Sequence, residues 1–165
     1  MVEPTRGTKN DTSTCRSDAL NNQNGASQSG ECHTFAIIKP DAVAAGNTGA
    51  IIELIEANKF NIVGMRKIRM SRAQAEQFYD VHRSKPFFGE LVDYMTSGPV
   101  VVMMLERENA IEAWRTLMGS TNPANAAVGT LRAMFGTSIG SNATHGSDAA
   151  ETAKRELSLF FPEQA

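Results

Sequence analysis

The sequence predicts an α/β (α+β) sandwich, a ferredoxin-like four-stranded antiparallel sheet covered by helices. Three observations carry this expectation. Short apolar runs of strand length alternate with stretches of helical spacing, in the order strand, helix, strand, helix, strand, helix, strand, helix. The run Val100-Val-Val-Met-Met-Leu105 is apolar on both alternations, as a central strand with both faces covered must be. The 165 residues, 41% hydrophobic and 21% charged, are an ordinary mixture for one domain with a real core.

Residues 1–30 are rich in Asn, Ser, Thr, Gln and Gly and nearly devoid of large apolar side chains. Such a segment cannot bury enough surface to offset its ordering entropy, so it is expected to be a disordered tail before a domain spanning 31–165. Phe35 to Ile38 is a short apolar run closed by Lys39-Pro40 and reads as a buried strand. Pro40 and Gly46 bracket a turn region. Ile51, Ile52, Leu54 and Ile55 recur at helical spacing and predict a helix from Thr48 to Ala57, with Asn58 as its left-handed stop. Asn61 to Met70 reads as a second strand. Ser71, with Gln74 three residues on, forms a capping box for a helix that carries Phe78 and Tyr79 and ends before Pro86. A shorter helix spans about Phe88 to Met95, and Pro99 opens the strand Val100–Leu105. Helices thus separate the second and third strands, where a hairpin would otherwise join them.

Ile111, Trp114, Leu117 and Met118 define the next amphipathic helix, stopped by Gly119. Residues 119–143 form a long irregular stretch with a short helix around Asn125 to Arg132, and a long ordered loop is usually functional. A short strand follows at Ala143 to His145, and Asp148 caps a closing helix with Glu151 three residues later.

Charge and composition exclude several function classes. A formal net charge of −2 offers no global basic field, so no specific nucleic acid is expected as a partner. No apolar run approaches the roughly 20 residues of a membrane span. The first 30 residues lack the apolar core of a secretory signal and mix Glu3, Asp11 and Asp18 with basic residues, unlike a transit peptide. Cys15 and Cys32 form no C-x-x-C pair and suggest no disulfide framework, which fits a reducing, cytoplasmic setting. The dinucleotide and P-loop glycine motifs are absent, and His33, His82 and His145 lack zinc-ligand spacing.

Asn142-Ala-Thr-His-Gly-Ser-Asp148 carries the most chemistry. It places a histidine at a strand end just before a helix start, whose free N–H groups and positive potential suit an anionic group. Gly146 leaves room beside the ring and lets backbone approach a ligand. Glu156, two turns into that helix, can reach back to the imidazole, set its tautomer and raise its basicity. Histidine can then act as a nucleophile that splits one transfer into two steps. Alone, His-Gly-Ser-Asp describes a surface histidine beside a capped helix at least as well, because short motifs often match by chance. Lys39, Arg115 and Arg132 are candidate phosphate partners only if they converge. Tyr79, Phe87 and Phe88 are the aromatic candidates for stacking, with core packing the better reading for Phe88. Asn142-Ala-Thr144 is also a glycosylation sequon, discounted without a secretory signal.

Six segments in order together resemble the nucleoside diphosphate kinase family: Ala36-Ile-Ile-Lys-Pro-Asp41, Lys85-Pro-Phe-Phe88, Thr96-Ser-Gly-Pro99, Gly119-Ser-Thr-Asn-Pro-Ala124, Gly129-Thr-Leu-Arg132 and Asn142–Asp148. The match runs from about His33 to the C-terminus. The resemblance implies transfer of the terminal phosphate of a nucleoside triphosphate to a nucleoside diphosphate, by ping-pong, through a phosphohistidine. His145 would be phosphorylated on Nδ1, with Glu156 holding the ring and Ser147 supporting that arrangement. Arg115, Thr121 and Arg132 would grip the phosphates. Lys39 would meet the ribose hydroxyl and the transferred phosphate, with Tyr79 beside it. Asn142 would bind the sugar hydroxyl, and Phe87 and Ile139 would enclose the base. Mg²⁺ would ride on the nucleotide phosphates, with no protein metal ligands, and the chain would form a homo-oligomer, tetramer or hexamer. Two positions depart from the family pattern. Met134 stands where an acidic residue is common, and Lys59 where glycine is common.

Overall fold

Strand β1 (His33–Ile38) is covered on both faces because its side chains are apolar on both alternations: Phe35 and Ile37 point one way, Ala36 and Ile38 the other, and all four are fully buried. The structure, a computed structural model, describes Cys15 and residues 31–164. The disordered tail expected over 1–30 falls, Cys15 apart, outside the described residues.

Four strands form one sheet in the order β2 (Asn61–Ile68), β3 (Val100–Glu106), β1, β4 (Thr144–Gly146). Every neighbouring pair is antiparallel. This is the expected ferredoxin-like arrangement. One face carries Phe35, Ile37, Val102 and Met104 against α3 (Arg72–Phe78), α4 (Phe88–Thr96) and α7 (Ala150–Phe160). The other carries Ala36, Ile38, Val101, Met103 and Leu105 against α2 (Thr48–Ala57), α5 (Ala110–Met118) and Leu131 of α6 (Leu131–Phe135). Ser71 closes the expected capping box at α3, accepting from the Gln74 amide while the Gln74 side chain accepts from the Ser71 amide.

The structure corrects several local expectations. The turn after β1 is a helix, α1 (Pro40–Ala44), started by proline at its first position. Asn58 is not left-handed; the next residue, Lys59, takes φ 67°. The second strand stops at Ile68, and the helix after it stops at Phe78, followed by a turn of 3₁₀ helix over Asp80–His82. The loop helix is displaced from 125–132 to α6, capped by Thr130, with a 3₁₀ turn at Pro123–Asn125. Asp148 does not cap α7; the N-cap is Ala149, which has no side-chain cap, and Asp148 bonds Thr152 instead. Cys15 and Cys32 are bonded to each other, with Cα atoms 6.0 Å apart. A separation of 17 residues has no characteristic motif, so sequence spacing could not reveal this pairing.

Candidate active site

Strand β4 is only three residues long, but its register places His145 opposite Ile37 of the buried central strand. Helix α7 then returns across the same face and brings Glu156 back to the ring. Both Glu156 oxygens lie 3.2 Å from His145 Nε2. The Ser147 hydroxyl donates to Glu156 Oε2 at 2.7 Å. Glu156 is 3% exposed, so its charge requires such partners. A neutral imidazole facing this carboxylate keeps its proton on Nε2, which leaves the lone pair on Nδ1. Phe78 meets the ring edge-on at 5.0 Å and Phe35 lies at 6.3 Å, so the imidazole has an apolar wall behind it. The Trp114 Nε1 donates to the His145 carbonyl at 3.1 Å.

The role expected of Gly146 changes. A Cβ at this position would stand 2.4 Å from the Trp114 ring and 2.6 Å from Met118 Cε. Glycine is required here for packing against the indole that anchors His145, rather than for ligand approach to the backbone.

A cleft of about 700 Å³ opens before the ring. Tyr79, Arg115, Thr121, Arg132, His145 and Glu156 all line it, so six of the residues singled out in the sequence share one cavity. Arg132 is buried. Its Nη1 donates to the Gly119 carbonyl and its Nη2 to the Thr144 carbonyl, both at 3.0 Å, while its Nε has no partner. Burial, and then Arg115, lower its pKa to about 10. Two neighbouring guanidinium groups, one desolvated and with an orphan donor, favour an anion between them. Tyr79 is buried; burial and then Glu156 push its phenol above the usual range, so it stays a donor. Asp148, at the same cleft, is held below the usual carboxylate range first by its hydrogen bond from Thr152, with Arg115 and His145 adding to the effect and burial opposing it.

Lys39 and Asn142 do not line this cleft. They form its support: Lys39 Nζ donates to Asn142 Oδ1 at 2.7 Å, and Asn142 Nδ2 donates to the Thr121 carbonyl at 3.0 Å. Burial, then Arg132, lower the Lys39 pKa to about 8, against Asp41, which raises it. Phe87 is 47% exposed and touches the cleft only through His82, whose ring centroid is 5.8 Å away. Ile139 is 61% exposed in the turn over residues 137–141. Sequence reasoning missed Arg155, which lines the cleft and donates to the Phe78 carbonyl at 3.2 Å. It also missed the contact of Phe78 with the ring. Phe78 reads as an ordinary core position of an amphipathic helix, and a single arginine carries no local signal.

The arrangement sets the His145 ring, backed by Phe78 and held by Glu156, at a cleft that Arg115, Arg132 and Arg155 also line. Comparisons with known proteins identify the family. The family model described as nucleoside diphosphate kinase matches residues 32–165. The nucleoside diphosphate kinase of Methylorubrum populi is 59% identical over 128 residues, covering 78% of this chain and 91% of that protein. That of Deinococcus radiodurans is 58% identical, covering 78% and 93%. Among solved structures, the Aquifex aeolicus nucleoside diphosphate kinase superposes with a TM-score of 0.77 at 42% identity, covering 78% of this chain and 94% of that one. The Encephalitozoon cuniculi enzyme gives 0.76 at 37%, covering 79% and 89%.

Proposed function

Since the chain belongs to the nucleoside diphosphate kinase family, we propose that His145 is its phosphate relay. The enzyme transfers the terminal phosphate of a nucleoside triphosphate to a nucleoside diphosphate through a phosphohistidine, in ping-pong order. In the proposed assignment the His145 Nδ1 lone pair attacks the terminal phosphorus. The bond from that phosphorus to the bridging oxygen breaks, and the diphosphate leaves with that oxygen. The Nε2 proton stays in place because Glu156 faces it and Ser147 holds Glu156. A second diphosphate then attacks the phosphohistidine with its terminal oxygen and restores the neutral ring. The double contact of Glu156 with Nε2 is the observation that carries this reading, because it leaves one nitrogen free for chemistry.

Arg115, Thr121 and Arg132 grip the phosphates from the lining of the cleft. Lys39 and Asn142, bonded to each other behind the cleft, reach the ligand once it seats against them: Lys39 the ribose hydroxyl and the transferred phosphate, with Tyr79 nearby, and Asn142 the sugar hydroxyl. Phe87 and Ile139 enclose the base, whose stacking surface every nucleotide shares.

A nucleotide kinase of this family needs a divalent ion, which we take to be Mg²⁺ carried on the nucleotide phosphates. Bound there, it offsets charge on the transferring group. The cleft suits an ion carried this way: its lining presents cations for phosphate oxygens, Glu156 is committed to His145 and Ser147, and Asp148 to Thr152. Among the described residues no helix is long and apolar enough to cross a membrane. A domain over 31–165 behind residues 1–30, a homo-oligomeric state (tetramer or hexamer) and a cytoplasmic location complete the proposal, the last without the support of unpaired cysteines, since Cys15 and Cys32 are bonded.

Steady-state exchange between ATP and GDP tests it. Double-reciprocal plots at several GDP concentrations should be parallel, and Glu156→Gln should lower kcat about 10–100-fold by loosening the ring. Intersecting lines, or an unchanged kcat in Glu156→Gln, would contradict the assignment.

A further inference from the structure

Ala143 is the point where the backbone departs furthest from its comfortable range within the site. It has φ 71°, although it is neither glycine nor exposed. The Thr144 amide donates to the Asn142 carbonyl at 2.8 Å across it. A two-residue hydrogen bond around a residue of positive φ is the rare, strained form of γ-turn. Such a turn persists only where its surroundings over-determine it. Here both backbone groups of the turn residue are held. The Lys39 amide donates to the Ala143 carbonyl at 2.8 Å, and the Ala143 amide donates to Asp41 Oδ2 at 3.0 Å. Asp41 Oδ1 in turn accepts from the Tyr94 hydroxyl. Tyr94 stands on α4, Asp41 on α1, and Pro40 fixes α1 directly onto the end of β1.

The turn has consequences on both sides. Before it, Asn142 is directed at Lys39 Nζ and the Thr121 carbonyl. After it, β4 begins in the register that sets His145 opposite Ile37. Neither Asp41 nor Tyr94 lines the cleft.

We propose that Asp41 and Tyr94 are positioning residues: their hydrogen-bonded pair clamps the strained turn at Ala143 and thereby aims Asn142 at the sugar hydroxyl of the bound nucleotide. This rests on the role given to Asn142 above. Asp41 holds the turn through hydrogen bonds, while its charge acts separately on Lys39, whose pKa it raises against burial. An asparagine at 41 can do the same work, its amide oxygen accepting from Ala143 and its amide nitrogen donating to the Tyr94 oxygen. An alanine cannot.

The test is single-turnover discharge of the labelled phosphoenzyme by GDP and by 2′,3′-dideoxy-GDP, in the parent, Asp41→Ala, Asp41→Asn and Tyr94→Phe. Asp41→Ala should slow discharge by GDP about 10–100-fold, the scale of a small misplacement, and largely erase the preference for GDP over the dideoxy nucleotide. Asp41→Asn should restore most of that preference, and Tyr94→Phe should reduce it in the same direction. A preference kept in Asp41→Ala, an equal fall with both nucleotides, or failure of Asp41→Asn to recover would overturn the proposal. If Asp41→Ala does not fold, an unchanged preference in Tyr94→Phe overturns it alone. A parent that takes no label at all would instead sink the phosphohistidine assignment on which it rests.

Discussion

At the scale of single residues, Lys39 shows most plainly how the fold alters chemistry. Proline at 40 ends β1 and starts α1, so Lys39 is left at a buried junction beside Asn142 and near Arg132. Burial and the neighbouring guanidinium lower its pKa to about 8. The folded value lies below that of an exposed lysine. The folded chain therefore sheds this proton first, and Lys39 contributes stability that rises between about pH 8 and the ordinary lysine value. Under the proposed role of Lys39 function runs the opposite way, since only the ammonium form attracts phosphate. The kcat/KM for ATP should fall as pH rises through about 8, and Lys39→Arg should remove that fall because a guanidinium keeps its charge. The same falling limb in Lys39→Arg would assign it to another group. Lys39, His145 and Glu156 were legible because each sits in a local pattern: a strand end before proline, a strand end before a helix, a carboxylate two turns on. The function of Gly146 was not, because the Trp114 ring that fills its space arrives from a helix 32 positions earlier in the chain.

At the scale of elements, legibility followed length and periodicity. The helices at 48–57 and 110–118 were legible because each repeats an apolar spacing over two turns or more, and the strand at 100–106 because its run is apolar on both alternations. Five-residue helices such as α1 and α6 have too few periodic positions to announce themselves. The three-residue β4 exists through its pairing with β1 more than through its own propensity. Asp148 resembles an N-cap in sequence, yet its carboxylate is engaged with Thr152 and the helix starts one residue later. The end of α2 is the instructive miss. Asn58 is the natural left-handed stop by sequence, but Lys59 bears the positive φ. A left-handed conformation costs a side-chain-bearing residue about 1 kcal/mol. Lys59→Gly should therefore raise unfolding stability by up to about 1 kcal/mol in urea titration, with exchange activity unchanged. A destabilised variant would show that this lysine contributes contacts that outweigh its strain.

At the scale of the whole molecule, the sheet order explains why one histidine becomes a site. Placing β1 between β3 and β4 puts His145 beside a fully buried strand. Helix α7 closes over it with Glu156, while the loop from Gly119 to Arg132 brings Thr121 and Arg132 to the same cleft. The fold class was legible from element order alone. Convergence was not, because Lys39, Thr121 and Asn142 meet through hydrogen bonds spanning 21 to 103 residues. The convergence makes a claim about one atom: Glu156 occupies Nε2, so phosphate must travel on Nδ1. The most direct measurement is to label the enzyme with the terminal phosphate of ATP, isolate it, and identify the phosphorylated nitrogen by NMR of ¹⁵N-histidine protein. The phosphoprotein should be acid-labile and base-stable, carry phosphate on His145 Nδ1, and lose it to GDP as labelled GTP. Phosphate on Nε2, or undiminished labelling of His145→Ala, would contradict the account.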